Sequence, residues 1–116
     1  MRKSILTLGI AAVLTGVLAT CSMTYAADDE RAQIQESGKL KVGVEGTYPP
    51  YTYHDDNGEL TGFDVEVAKA IADKLGVEAD FTESDWDSLL AGIDSGRLDT
   101  VINAVSITPE REEKYD

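Results

Sequence analysis

The stretch Leu98-Asp99-Thr100-Val101-Ile102-Asn103-Ala104-Val105-Ser106-Ile107-Thr108-Pro109-Glu110-Arg111 runs from a strand into the start of a helix. Its apolar part, Leu98 to Ile102, reads as buried strand that continues to Ala104. Thr108 is a good N-cap, and Pro109 suits the first helical position, where a missing N–H costs nothing. Arg111 then falls in the first turn, where the macrodipole already presents positive charge and a cation is disfavoured. Two explanations compete. Either Arg111 pairs with Glu112 or Glu113 on a solvated helix face, or it serves a ligand. The free N–H groups of the helix start, the hydroxyls of Ser106 and Thr108 and the planar guanidinium together suit a carboxylate, gripped bidentately by Arg111.

Upstream of this stretch lies a regular alternation of elements. Ser84 or Asp85 can cap a helix whose apolar face is Trp86, Leu89, Leu90 and Ile93 and which Gly96 closes. Val77 to Phe81 precedes it as a strand. Before that, Val67, Ala68, Ile71, Ala72 and Leu75 recur at helical spacing after Gly62-Phe63-Asp64; Asp64 is expected as the N-cap and Gly76 as a left-handed C-cap. Tyr51–Tyr53 and Glu59–Thr61 flank Asn57-Gly58, the dipeptide of a tight hairpin. Lys39-Leu40-Lys41-Val42-Gly43-Val44 alternates polar and apolar residues and reads as the first strand. Between that strand and the hairpin, Glu45 to Tyr51 carries Gly46, Pro49 and Pro50, so no regular element continues through it.

Strands alternating with helices imply right-handed crossovers and a parallel α/β sheet. If the two crossovers run in opposite directions the strand order is 2-1-3, and a crevice opens at the switch point beyond the carboxyl ends of the strands. The loops at that rim are Glu45–Tyr51 with Tyr48, Ser84–Trp86, and Asn103–Arg111. Two aromatic loops and one arginine-bearing helix start therefore converge on one place.

The N-terminus is set apart from this pattern. Arg2 and Lys3 precede an uncharged, largely apolar stretch, Ile5–Ala19, and then small and polar residues, the three-part build of a secretory signal peptide. Cleavage after Ala26 gives a soluble exported protein. Alternatively Leu18-Ala19-Thr20-Cys21 resembles a lipobox that would anchor the chain through Cys21, although Thr20 is atypical before that cysteine. The domain division expected is leader 1–26, a short helical lead-in 27–38 and a folded unit 39–116. Cys21 is the one cysteine in the sequence, so no disulfide is available to the mature chain. The formal charge is −12, which argues against nucleic acid or an anionic membrane surface as a partner.

Catalytic signatures are sparse. The sequence holds no Gly-x-Ser-x-Gly elbow and no phosphate loop, and Gly43 and Gly46 do not make a dinucleotide fingerprint. His54 has no second His or Cys at ligand spacing and is expected to be a solvated turn residue, so neither a metal nor another cofactor is expected.

Tyr48-Pro49-Pro50-Tyr51, Gly62-Phe63-Asp64-Val65-Glu66-Val67-Ala68, Asp85-Trp86-Asp87-Ser88-Leu89-Leu90 and Val105-Ser106-Ile107-Thr108-Pro109-Glu110-Arg111 stand in an order that resembles the family 3 bacterial extracellular solute-binding proteins. The resemblance runs from Leu40 to Asp116. It implies a type II periplasmic-binding-protein fold, of which 39–116 would be an incomplete first lobe. It also implies a monomeric, non-enzymatic amino acid carrier, periplasmic or extracellular, that delivers its ligand to an ABC permease. By this resemblance Tyr48 and Trp86 match the aromatics that sandwich the ligand, and Arg111 the clamp on its α-carboxylate. Ser106 and backbone groups around Ala104 assist, with Asn103 and Ala104 where many members carry small hydroxyl residues. Family members are two-lobed and longer, so this chain is expected to behave as a fragment that binds amino acids feebly. A cyclohexadienyl or arogenate dehydratase of the same fold and a sensor module of a larger receptor are the alternatives.

Overall fold

The computed structural model describes residues 26–115. Strand β1 (Lys39–Val44) is the centre, with β4 (Glu78–Glu83) parallel to it on one side and β5 (Thr100–Val101) parallel on the other. In chain order of the three long-range strands this is the 2-1-3 arrangement the sequence implied. Helix α1 (Ala26–Ser37) precedes β1, and Gly38 turns the chain between them at φ 73°. A two-stranded antiparallel ribbon, β2 (Tyr53–His54) and β3 (Leu60–Thr61), is inserted before α2 (Phe63–Leu75); α3 (Trp86–Asp94) joins β4 to β5, and α4 (Pro109–Glu112) ends the described chain.

The alternation along β1 sorts its side chains between two helices. Leu40, Val42 and Val44 are buried with Ala68, Ala72 and Val77, so this face of the sheet packs on α2. Each of those three strand residues contributes about 1.5–3 kcal/mol by leaving water. Gly43 points the other way, towards α3. A Cβ there would stand 2.6 Å from Leu98 Cδ1 and 2.8 Å from Leu89 Cδ2, so the missing side chain is what lets α3 and the start of β5 lie against the sheet.

Several local expectations are corrected by tertiary contacts. Strand β5 is two residues long rather than extending to Ala104, because Asn103 is drawn into a side-chain network and Ala104 adopts φ 50°, which no strand tolerates. Asn57-Gly58 does not make a two-residue turn. Asp55 and Glu59 close a loop in which Gly58 N–H donates to Asp55 O and the Asp55 carboxylate accepts from the N–H groups of Asn57 and Glu59. Asp64 is not the N-cap of α2: Gly62 holds that position at φ 126°, and the N–H groups of Phe63 and Asp64 donate to the carbonyls of Pro50 and Tyr51. Gly76 does provide the left-handed C-cap of α2, and Asp85 and Thr108 cap α3 and α4 through their side chains. Helix α3 gives way at Ser95, just before the left-handed Gly96. The leader reading falls on residues 1–25, outside the described ones. Among the described residues no helix is long and apolar enough to cross a membrane.

Candidate functional site

The three rim loops lie beyond the carboxyl ends of β1, β4 and β5, and their positions follow from the strand order. Helix α3 begins at Trp86 because the Asp85 carboxylate accepts from the N–H and hydroxyl of Ser88, a capping arrangement that fixes where the indole leaves the backbone. Helix α4 begins at Pro109 because Thr108 Oγ1 accepts from Arg111 N–H. The half-buried Arg111 guanidinium then lies with its carbon 5.2 Å from the centroid of the Trp86 ring, while Nη1 donates to Ser106 O at 2.9 Å. Among the described residues Arg111 makes no ion pair with Glu112 or Glu113. The solvated-face reading of Arg111 therefore gives way to a stacked guanidinium. α4 is a single turn of four residues, so its dipole adds little and the positive character of the place rests on the guanidinium itself.

Tyr48 sits on the central loop. It is 47% exposed, its backbone bridges to Thr52, and its ring lies 5.2 Å from that of Tyr51 at a tilt of 44°. The sheet brings this loop to the same rim as Trp86 and Arg111, while Trp86, Ser106 and Arg111 are joined by direct contact.

Asn103 and Ala104 are held differently from the ligand-facing stretch expected. Asn103 is 3% exposed, with Oδ1 accepting from Glu45 N–H and Thr52 Oγ1, both at 2.8 Å, and Nδ2 donating to Glu45 Oε2 at 2.6 Å. Thr52 Oγ1 in turn accepts from Gly46 N–H, so one amide ties the loop after β1 to the loop after β5. Both ends of the Asn103 amide are engaged in this strut. Ala104 N–H donates to Asp64 Oδ2 at 2.5 Å and is likewise committed within the protein. Asp64, Glu45 and Thr52 were not expected in these parts, because their partners lie tens of residues away and no local pattern signals the pairing.

His54 is solvent-exposed as expected, but it lies on β2 rather than in the turn and is not free: Nε2 lies 3.1 Å from Glu83 Oε1 and Nδ1 3.2 Å from Gly46 O, so the ribbon leans on the end of β4. Among the described residues no group of three His, Cys, Asp or Glu side chains could hold a metal ion. A hollow of about 720 Å³ borders Arg111 and Ser106, and neither Tyr48 nor Trp86 is among its lining residues. It lies between α1, α3 and the segment after β5, with Ile34, Leu90, Ile93, Val101 and Ile107 in its walls. That hollow shares Ser106 and Arg111 with the rim the sequence pointed to but not Tyr48 or Trp86.

Comparison with known proteins identifies the fold and family. Residues 40–116 match the model of the bacterial extracellular solute-binding proteins, family 3. The L-cystine-binding protein TcyJ of Escherichia coli (strain K12) is 52% identical over 84 residues, which is 72% of this chain and 32% of that protein. Two solved structures share the fold. The arginine-bound form of domain 1 from TmArgBP superposes with a TM-score of 0.68 at 37% identity, over 70% of this chain and 64% of that one. The ancestral amino acid-binding protein AncCDT-1, a precursor of cyclohexadienyl dehydratase, superposes with a TM-score of 0.71 at 40% identity, over 74% of this chain and 38% of that one. The chain spans less than half the length of the curated relatives it matches, between 32% and 46% for the first of them. Its fold is a partial type II periplasmic-binding-protein domain, and the chain belongs to the bacterial extracellular solute-binding proteins, family 3.

Proposed function

We propose that this chain supplies the first-lobe half of an amino acid binding site, in a protein that captures a free amino acid outside the cytoplasm and hands it to an ABC permease. The observation that carries this reading is the stacked guanidinium. Arg111 is held over Trp86 and oriented by Ser106 O, which leaves the remaining donors of its planar fork for a carboxylate. In this reading Tyr48 and Trp86 supply apolar faces for the ligand's side chain and Ser106 a hydroxyl at the carboxylate. Asn103 and Ala104 shape the loop rather than touch the ligand through their engaged groups. Close relatives named for cystine and arginine suggest a ligand with an α-amino acid head and a polar side chain.

Domain 1 of TmArgBP carries arginine without a second lobe in the structure named for it. This chain spans 64% of that domain, and whether it binds alone, or feebly as expected from half a pocket, is what calorimetry decides. Calorimetric titration of the chain with arginine and with cystine tests the proposal: binding that disappears in Arg111→Ala supports it, and no heat from any polar amino acid sinks it. The likeness to AncCDT-1 gives a second reading, a dehydratase ancestor or descendant of the same fold. Turnover of prephenate or arogenate would favour that reading over a carrier.

A further inference from the structure

Three links fasten the loop after β5. Asn103 joins it to the loop after β1, Thr108 caps its far end, and between them Asp64 reaches across from α2 to Ala104. The last link is unusual in kind. Asp64 is a carboxylate only 7% exposed at the start of α2, with no role as that helix's cap. Its partner, Ala104, is the one non-glycine residue with positive φ among the described ones. A residue with a Cβ resists φ 50°, and the chain needs that turn to swing from β5 towards Ser106 and Arg111. The backbone N–H of Ala104 donates to Asp64 Oδ2 in this turned conformation, so the carboxylate tethers the Asn103–Ala104 peptide at the point where the chain turns.

We infer that Asp64 is the positioning residue of the binding site: it holds Ala104 in the left-handed turn that aims Ser106 and Arg111 at the ligand. This deepens the proposed amino acid site and rests on that reading. Asp64 does not touch the ligand. Without it the loop samples extended conformations at Ala104, and the fraction of molecules ready to bind falls, so apparent affinity falls by the same factor. Helix α2 and the loop after β1 are also joined through Pro50 O and Tyr51 O, so the start of α2 holds both the aromatic loop and the arginine loop. One helix end thereby sets the spacing between them.

The test combines amide exchange by NMR on the ligand-free chain with calorimetric titration against arginine and cystine. In Asp64→Ala the Ala104 amide is expected to exchange at least about tenfold faster while those of Val42 and Val44 keep their wild-type rates. Binding of whichever amino acid the wild type takes weakens about tenfold. Asp64→Asn, which keeps a carbonyl oxygen where Oδ2 lies, restores both to within about threefold. Should Asp64→Ala fail to fold, Asp64→Glu, which keeps the charge but displaces the acceptor by a methylene, is expected to give the same two losses. An Ala104 amide that keeps its wild-type exchange, or an Asn variant no better than the Ala variant, overturns the assignment. A wild-type chain that binds neither amino acid counts against the proposed ligand, and the exchange comparison still decides whether Asp64 positions the turn.

Discussion

The guanidinium of Arg111 lies 5.2 Å over the ring of Trp86, although the two residues belong to different helices and are 25 positions apart. That contact and the hydrogen bond to Ser106 O hold the guanidinium in place, and its planar fork decides which direction its N–H groups can serve. A lysine would keep the charge and lose the plane. Arg111→Lys is therefore expected to weaken amino acid binding about tenfold to a hundredfold, the loss of a charge-assisted pair worth about 1.5–3 kcal/mol. Its urea midpoint should stay close to wild type, since Arg111 is only half-buried. Titration calorimetry beside urea denaturation checks both halves, and equal affinity in the lysine variant would count against a bidentate seat.

Asn103 has a different expected signature. Its amide satisfies Glu45 N–H, Glu45 Oε2 and the buried Thr52 hydroxyl, and Thr52 is fully buried. Asn103→Ala leaves those groups without partners in a place water reaches poorly, which costs about 1–3 kcal/mol of stability. Asn103→Asp should cost more, because it exchanges the donor facing Glu45 Oε2 for a second negative oxygen. Urea denaturation of the two variants would separate this strut from a direct ligand contact, which would lower affinity without moving the midpoint.

The sheet could be read from the sequence because its determinants are local. The alternation of Lys39–Val44, the left-handed glycine after α2 and the caps at Asp85 and Thr108 all act within a turn or a strand. From these came the elements and their order along the chain, with 2-1-3 as the strand order if the crossovers run in opposite directions, which would bring Trp86 and Arg111 to one rim. What escaped acts at long range. Asp64 looks like a helix cap, yet the carbonyls of Pro50 and Tyr51 satisfy the first N–H groups of α2 and free the carboxylate for a residue 40 positions on. Asn103 was itself expected at the ligand, but burial draws its amide inwards, where it meets Glu45 N–H, Glu45 Oε2 and the Thr52 hydroxyl. His54 has no second His or Cys at ligand spacing, and it meets Glu83 because the ribbon folds over the end of β4.

Gly62 gives a test of the link between α2 and the aromatic loop. Its φ is 126°, and a Cβ there would land on the carbonyl oxygen of Tyr51, which is backbone and cannot swing aside. Gly62→Ala must therefore push apart the two segments whose carbonyls and N–H groups join Pro50 and Tyr51 to Phe63 and Asp64. A loss of about 2 kcal/mol or more is expected from the backbone strain alone. Gly76→Ala is the control, since that glycine also has positive φ but an added Cβ meets nothing within 4 Å. Thermal unfolding should rank Gly62→Ala well below Gly76→Ala, and the reverse order would mean that the loop yields easily.

Acid should loosen the rim through its capping carboxylates. The N–H of Ser88, then its hydroxyl, hold the Asp85 carboxyl below its ordinary value of 3.8, and hydrogen bonds from Lys114, then Tyr115, lower Asp94 from the same starting point. A carboxylate whose folded pKa is depressed adds stability that is present above the unfolded value and disappears as the pH falls through the folded one. The contributions of Asp85 and Asp94 are therefore intact at pH 7 and fade below about pH 4. Both groups are solvent-exposed, so salt screens the Lys114–Asp94 pair more than the Asp85 cap, which is a short hydrogen bond to backbone. The gap in urea midpoint between wild type and Asp85→Ala should accordingly be wider at pH 7 than at pH 3, and should survive added salt. A gap of the same size at both pH values would mean that the ionised cap does not hold the start of α3, and with it the position of Trp86.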